Sequence, residues 1–158
     1  MPKPINSSIS TQEKSKLKSS LTERDKHASQ TLATRYDALN EQFIAAETRL
    51  KALKPLHPVW VEYDIKYTED SNPSASWDLL GFTKLDGKWR LTHAYDNEFN
   101  DGSPFFEIKA ITECPIQIRV RAAKEVRKLH NAIIAQKEKF IPEVEEAINE
   151  LAAYCTEI

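Results

Sequence analysis

Glycine is scarce in this chain. Only Gly81, Gly87 and Gly102 occur in 158 residues, so neither a glycine-rich phosphate loop nor a dinucleotide fingerprint can be assembled. Cysteine is scarcer still. Cys114 and Cys155 have neither the spacing of a metal site nor the density of a disulfide framework, and both are expected as reduced thiols. HExxH, CxxC and GxSxG are absent, and the four histidines, His27, His57, His93 and His130, are scattered. No apolar run approaches the roughly 20 residues needed to cross a bilayer, and the opening MPKPINSSIS lacks the apolar core of a secretory signal. These absences imply no cofactor, no metal and no membrane contact, and they lead to the expectation of a cytoplasmic chain.

What is present points to a folded domain. A hydrophobic content of 41% against 29% charged residues excludes a disordered composition, and the length suits one core. The net charge of -2 is unevenly spread. Residues 1–20 carry four basic groups against one acidic, whereas residues 55–115 carry five against eleven, so the middle of the chain is acidic. Residues 1–20, rich in Ser, Lys and Thr, bury too little to hold an order of their own and are expected to form a flexible tail before a single domain at 21–158.

Residues 21–54 contain no Pro or Gly, and Leu32, Tyr36, Leu39, Phe43, Ala46, Leu50 and Leu53 recur in steps of four and three. This stripe predicts a helix over 21–54 with the seam of a coiled coil or helical hairpin, stopped by Pro55 and Pro58. Val59 to Tyr67 alternate as a half-buried strand should, with Val59, Val61, Tyr63, Ile65 and Tyr67 on one face. Asp86-Gly87 is the favoured two-residue hairpin turn. Leu85 then opposes Lys88, Lys84 Trp89, Phe82 Leu91, Leu80 His93 and Asp78 Tyr95, which gathers Leu80, Phe82, Trp89 and Leu91 on one face. A fourth strand is expected at 105–111. From Ile116 onward a seam continues through Ala123, Val126, Ile133, Phe140, Val144, Ala147, Leu151 and Tyr154 to Ile158, with polar exceptions at Arg119, His130 and Lys137. Pro142 predicts a joint at 140–142, dividing helices 116–139 and 142–157. The fold class is therefore α+β: a three- or four-stranded antiparallel meander over 59–111 between a long N-terminal helix and a kinked C-terminal helix pair, in the order α-ββββ-αα.

Three constellations bear on function. His93 falls beside Tyr95 and near Asp78, which reads either as an acid/base cluster or as a hydrogen-bonded histidine supporting the hairpin. Arg119, Arg121, Lys124, Arg127 and Lys128 crowd the start of a helix, where the dipole disfavours positive charge. They form either a contact for phosphate or an acidic partner, helped by Arg49, Lys51 and Lys54 if the two long helices run antiparallel, or a solvated face pairing with the acidic middle. Trp60, Trp77, Phe99, Phe105 and Phe106, beside Glu62, Asp64, Asp96, Glu98 and Asp101, form either an aromatic binding surface with an acidic rim or side chains that cover the sheet ends or join the core.

Lacking catalytic signatures, the chain is expected to be a non-catalytic protein-binding module: an adaptor, inhibitor or regulatory subunit. It would use its helical seams, with a homodimer as one outcome, and the acidic sheet region through Trp60, Glu62, Asp64, Trp77, Asp96, Phe99 and Phe105. One alternative is nucleic-acid or phosphate binding through Arg119, Arg121, Lys124, Arg127 and Lys128. Another is a small enzyme using His93, Tyr95 and Asp78.

Overall fold

The computed structural model describes residues 10–68, 74–99, 102 and 105–157. Its elements are α1 (Thr11–Ala52), β1 (Val59–Thr68), β2 (Ser74–Leu85), β3 (Lys88–Asn97), β4 (Phe106–Ala110), a 3-10 turn (Ile111–Glu113), α2 (Ile116–Ala123) and α3 (Val126–Thr156). This is the α-ββββ-αα order, with one antiparallel sheet in the order β1-β2-β3-β4. Among the described residues no helix is long and apolar enough to cross a membrane. The chain divides into two compact units, Met1–Leu39 and Asn40–Ile158, so the boundary falls within α1.

In the first unit, α1 starts ten residues earlier than the apolar seam implies. Ser10 and Glu13 form a reciprocal capping box: the Glu13 amide donates to Ser10 Oγ at 3.2 Å and the Ser10 amide to Glu13 Oε2 at 3.1 Å. Residues 1–9 of the expected tail lie outside the described residues. Every residue from 11 to 35 is exposed, so this stretch depends on its cap and on helix-favouring Lys, Leu, Gln and Ala.

The second unit holds the core. Here α1 contributes Phe43 and Leu50, both buried, and ends after Ala52 with Lys54 in the left-handed conformation (φ 51°) that closes many helices. The hairpin register is that dictated by the Asp86-Gly87 turn, from Leu85 opposite Lys88 to Asp78 opposite Tyr95, and both turn residues have the positive φ a type I′ turn requires. Leu80, Phe82 and Leu91 are fully buried on one face, and Trp89 stacks on Phe82 at 5.3 Å.

β1 departs from simple alternation. Its register with β2 shifts between Tyr63 and Lys66, where Asp64 adopts φ 53°. A bulge of this kind turns the strand out of phase. Ile65 and Tyr67, expected on the apolar face, are consequently exposed while Tyr63 is buried.

The C-terminal helices are divided at a different place from the expected one. Pro142 lies inside an uninterrupted α3, and the break falls at residues 124–125, where the Lys124 and Glu125 amides bond back to the carbonyls of Arg121 and Ala122. Proline removes one donor from its helix, but Glu138, whose carbonyl loses that partner, is exposed to water. The real joint carries no Pro or Gly, and the seam positions Ala123 and Val126 remain three residues apart across it, so periodicity gives no sign of it.

The last part of α1 runs parallel to α2 and α3. Arg119 Nη1 donates to Asn40 Oδ1 at 2.6 Å at one end, and the Leu56 amide donates to Gln136 Oε1 at 2.9 Å at the other. We predict that Phe43→Ala costs about 3–5 kcal/mol, whereas Leu32→Ala in the exposed stretch of α1 changes stability by less than about 0.5 kcal/mol. Urea unfolding of the two variants tests this contrast.

Candidate functional site

Three features of the second unit bear on function: a polar cluster on the helix-covered face of the sheet, an aromatic cover on the other face, and the surfaces of α1 and α3.

The polar cluster grows from the register Tyr63–Asp78–Tyr95 across β1, β2 and β3. His93 Nε2 lies 3.2 Å from Asp78 Oδ1, and both residues are buried. Asp78 Oδ2 has Arg121 at 3.7 Å and Lys66 at 3.8 Å, within ion-pair range but too far for a hydrogen bond. Arg121 also pairs directly with Asp64, which the bulge turns toward it. The phenol beside His93 is Tyr63, at 6.4 Å between ring centres, whereas Tyr95 is exposed and leans on Phe106. Burial, and next the negative charge of Asp78, push the Tyr63 hydroxyl well above its ordinary value of 10, so it stays protonated. Its Oη is buried without a hydrogen-bond partner.

A neutral phenol, a histidine and a carboxylate could in principle move protons. Here the carboxylate serves as the hub of an ion-pair network joining α2 to the sheet, and a substrate would have to displace packed side chains to reach it.

The aromatic cover lies on the opposite face. The Trp60 ring sits directly over Gly81, and Phe105 meets it edge-on at 5.1 Å between centres. Trp77 is half-buried on this same face, and Asp96 opposite it is buried and accepts the Asn97 amide at 2.8 Å. Glu62 and Phe99 are exposed. Trp60 and Phe105 thus form one contact, while Asp96 is held inside the fold. Asp101 lies outside the described residues. The signal available for this arrangement was the isolated Gly81 within a strand, which marks close approach by another group.

The basic cluster is largely engaged within the fold. Arg119 holds Asn40, Arg121 holds Asp64 and Asp78, and Lys128 pairs with Glu125 at 3.0 Å, while Lys124 and Arg127 are exposed. Because α1 and α3 run parallel, Arg49 stands beside Arg127 and His130, away from Arg119 and Arg121. Together these three line a cleft of about 580 Å³ with Ala45, Ala46, Leu50, Ala123 and Val126.

Beyond the core, α3 bears a free apolar stripe. Ile148, Leu151 and Tyr154 are 59%, 65% and 70% exposed, and Phe140, Ile141 and Val144 are also exposed. These lie on the face of α3 that buries Leu129 and Ile133, about three and two turns before Phe140. Cys114 is buried, its thiol pushed up by that burial, and Cys155 is exposed; both are free. Among the described residues no group of three or more His, Cys, Asp or Glu could hold a metal ion.

No protein-family model, curated protein or solved structure matches the chain.

Two predictions follow from the two sheet faces. A Cβ at Gly81 would lie 2.5 Å from the Trp60 ring, so Gly81→Ala should cost about 1–3 kcal/mol by overpacking, read as a lower melting temperature. For Tyr63, a folded-state value raised above 10 means that its contribution is fully present below pH 10 and is lost as the pH climbs above it. Tyr63→Phe should therefore be neutral or slightly stabilising at pH 8, and its stability should fall less steeply than that of the unaltered chain above pH 10. Urea unfolding at pH 8 and pH 11 measures the difference.

Proposed function

We propose that this chain is a non-catalytic protein-binding module whose principal docking face is the distal part of α3. The observation that carries this reading is the stripe of Phe140, Ile141, Val144, Ile148, Leu151 and Tyr154, large apolar side chains left exposed along one helix. A contiguous apolar surface with a charged border is the usual mark of an interaction site. The border is of one sign: residues 140–157 contain Glu143, Glu145, Glu146, Glu150 and Glu157 and no Lys or Arg. The chemistry suited to this face is thus an amphipathic surface with apolar anchors and basic flanks.

The internal engagement of Arg119, Arg121 and Lys128 favours this reading over binding through the basic cluster. The burial of His93 and Asp78 favours it over catalysis on the hairpin. On the sheet, exposed Glu62 and Phe99 offer a smaller second contact area.

The test uses a fluorescent helical peptide with Leu at i, i+3, i+4 and i+7 and Lys on its flanks, titrated with dilute protein and followed by anisotropy. The expected result is binding that weakens at least about tenfold, equivalent to about 1.4 kcal/mol, in the double variant Ile148→Glu, Leu151→Glu. A counterpart peptide with Glu on its flanks should not bind. Equal binding by the variant, or no binding of the Lys-flanked peptide, would refute the assignment of this face.

A further inference from the structure

We propose that the cleft between α1 and the helices α2 and α3 is a binding site for a small organic phosphate, a phosphate monoester carried on an apolar body. The cleft lies within the second unit, and no residue of the apolar stripe on distal α3 lines it.

The charge of the lining is the first observation. Arg49, Arg127 and His130 line the same space as the carboxamides of Gln42 and Asn131, and no acidic side chain stands among the lining residues. Among the described residues none of these three has an ion-pair partner. The acidic groups two positions before Arg49 and Arg127 are Glu47 and Glu125, and they are engaged by Arg90 and Lys128. Two guanidiniums and an imidazole gathered at one cleft without a counter-charge repel one another, and an anion bound between them relieves that repulsion.

The second observation is the order of the lining along the cleft. Asn40 accepts from Arg119 and, just past the end of α1, the His57 carbonyl accepts from Gln136; both pairs are 79 residues apart. The same register sets Arg49 level with the turn of α3 that carries Arg127 and His130, and Ala45 and Ala46 level with the joint between Ala123 and Val126. One end of the cleft is therefore basic and the other apolar. The alanines leave that second end open.

Size and donor chemistry then select the ligand. A volume of about 580 Å³ falls in the range of roughly 300–1,000 Å³ that holds small organic ligands between apolar walls and a few convergent polar groups. Guanidinium forks bond phosphate oxygens in pairs, and the Asn131 carboxamide adds a neutral donor. Two guanidiniums match the double charge of a phosphate monoester more fully than the single charge of a carboxylate. The phosphate sits among Arg49, Arg127 and His130, and the body of the ligand lies along Ala45, Ala46, Ala123 and Val126.

Isothermal titration calorimetry of the full chain with naphthyl phosphate tests the site. Saturable binding is expected, at least tenfold tighter than that of inorganic phosphate, which lacks the apolar body, or of naphthol, which lacks the charge. Arg49→Gln with Arg127→Gln should weaken it at least tenfold. Ala123→Leu, which fills the apolar end, should do the same. All three positions are exposed, so circular dichroism should show an unchanged fold in both variants. The distal variant Ile148→Glu, Leu151→Glu should bind naphthyl phosphate as the unaltered chain does, which separates this site from the protein-docking face. The proposal is overturned if binding does not saturate, if inorganic phosphate or naphthol binds as tightly, if either cleft variant keeps its affinity, or if the distal variant loses it.

Discussion

The two-residue turn at Asp86-Gly87 is the constraint on which the second unit depends. It pairs Leu85 with Lys88 and so determines every later pairing along β2 and β3. A slip of one residue would put Leu91 on the face opposite Leu80 and Phe82 and leave no carboxylate beside His93. The helix-covered face and the contact of Asp78 with His93 are thus two readouts of one register. The turn places Asp78 opposite Tyr95, the pairing of β1 with β2 places it opposite Tyr63, and Arg121 links it to α2.

Both edges of the sheet carry a similar device. β1 is irregular at Asp64 and β4 at Glu107, each a non-glycine residue with φ near +50°, and each an acidic group. Such conformations are costly for residues with a Cβ. Bulged, charged edges discourage another strand from adding to the sheet. Exposed large apolar side chains of the second unit lie both on α3 and in the sheet region, where Tyr67 and Phe99 are the most exposed.

How much of this was legible in the sequence differs by element. The hairpin was fully legible because two residues, Asp86 and Gly87, specify both a turn type and a register. The heptad seams were legible as helices, but periodicity cannot tell a seam that enters a core, as at Phe43 and Leu50, from one that stays exposed, as at Ile148 and Leu151. The capping box of Ser10 and Glu13 was present in the letters but outweighed by the polar composition around it. The bulge at Asp64 and the joint at residues 124–125 carry no glycine or proline and arise from tertiary contacts, Arg121 with Asp64 among them. The parallel sense of α1 and α3 was likewise hidden, since it depends on how the sheet returns the chain.

Glu47 shows what such long-range contacts do to the order of assembly. β4 pairs with β3 no nearer the hairpin than Thr92, so the Leu91 amide has no strand partner on that side. Glu47 of α1 supplies one, accepting the Leu91 amide at 2.9 Å and Arg90 Nε at 3.0 Å with the same carboxylate oxygen. The contact closes a loop of 44 residues, whereas the hairpin closes over two. Loop-closure entropy therefore favours the hairpin as the early structure and makes the docking of α1 the slower event. Until that docking occurs, the outer edge of β3 remains open beside the turn, and the transient species most prone to mispairing is a formed hairpin still waiting for its helix.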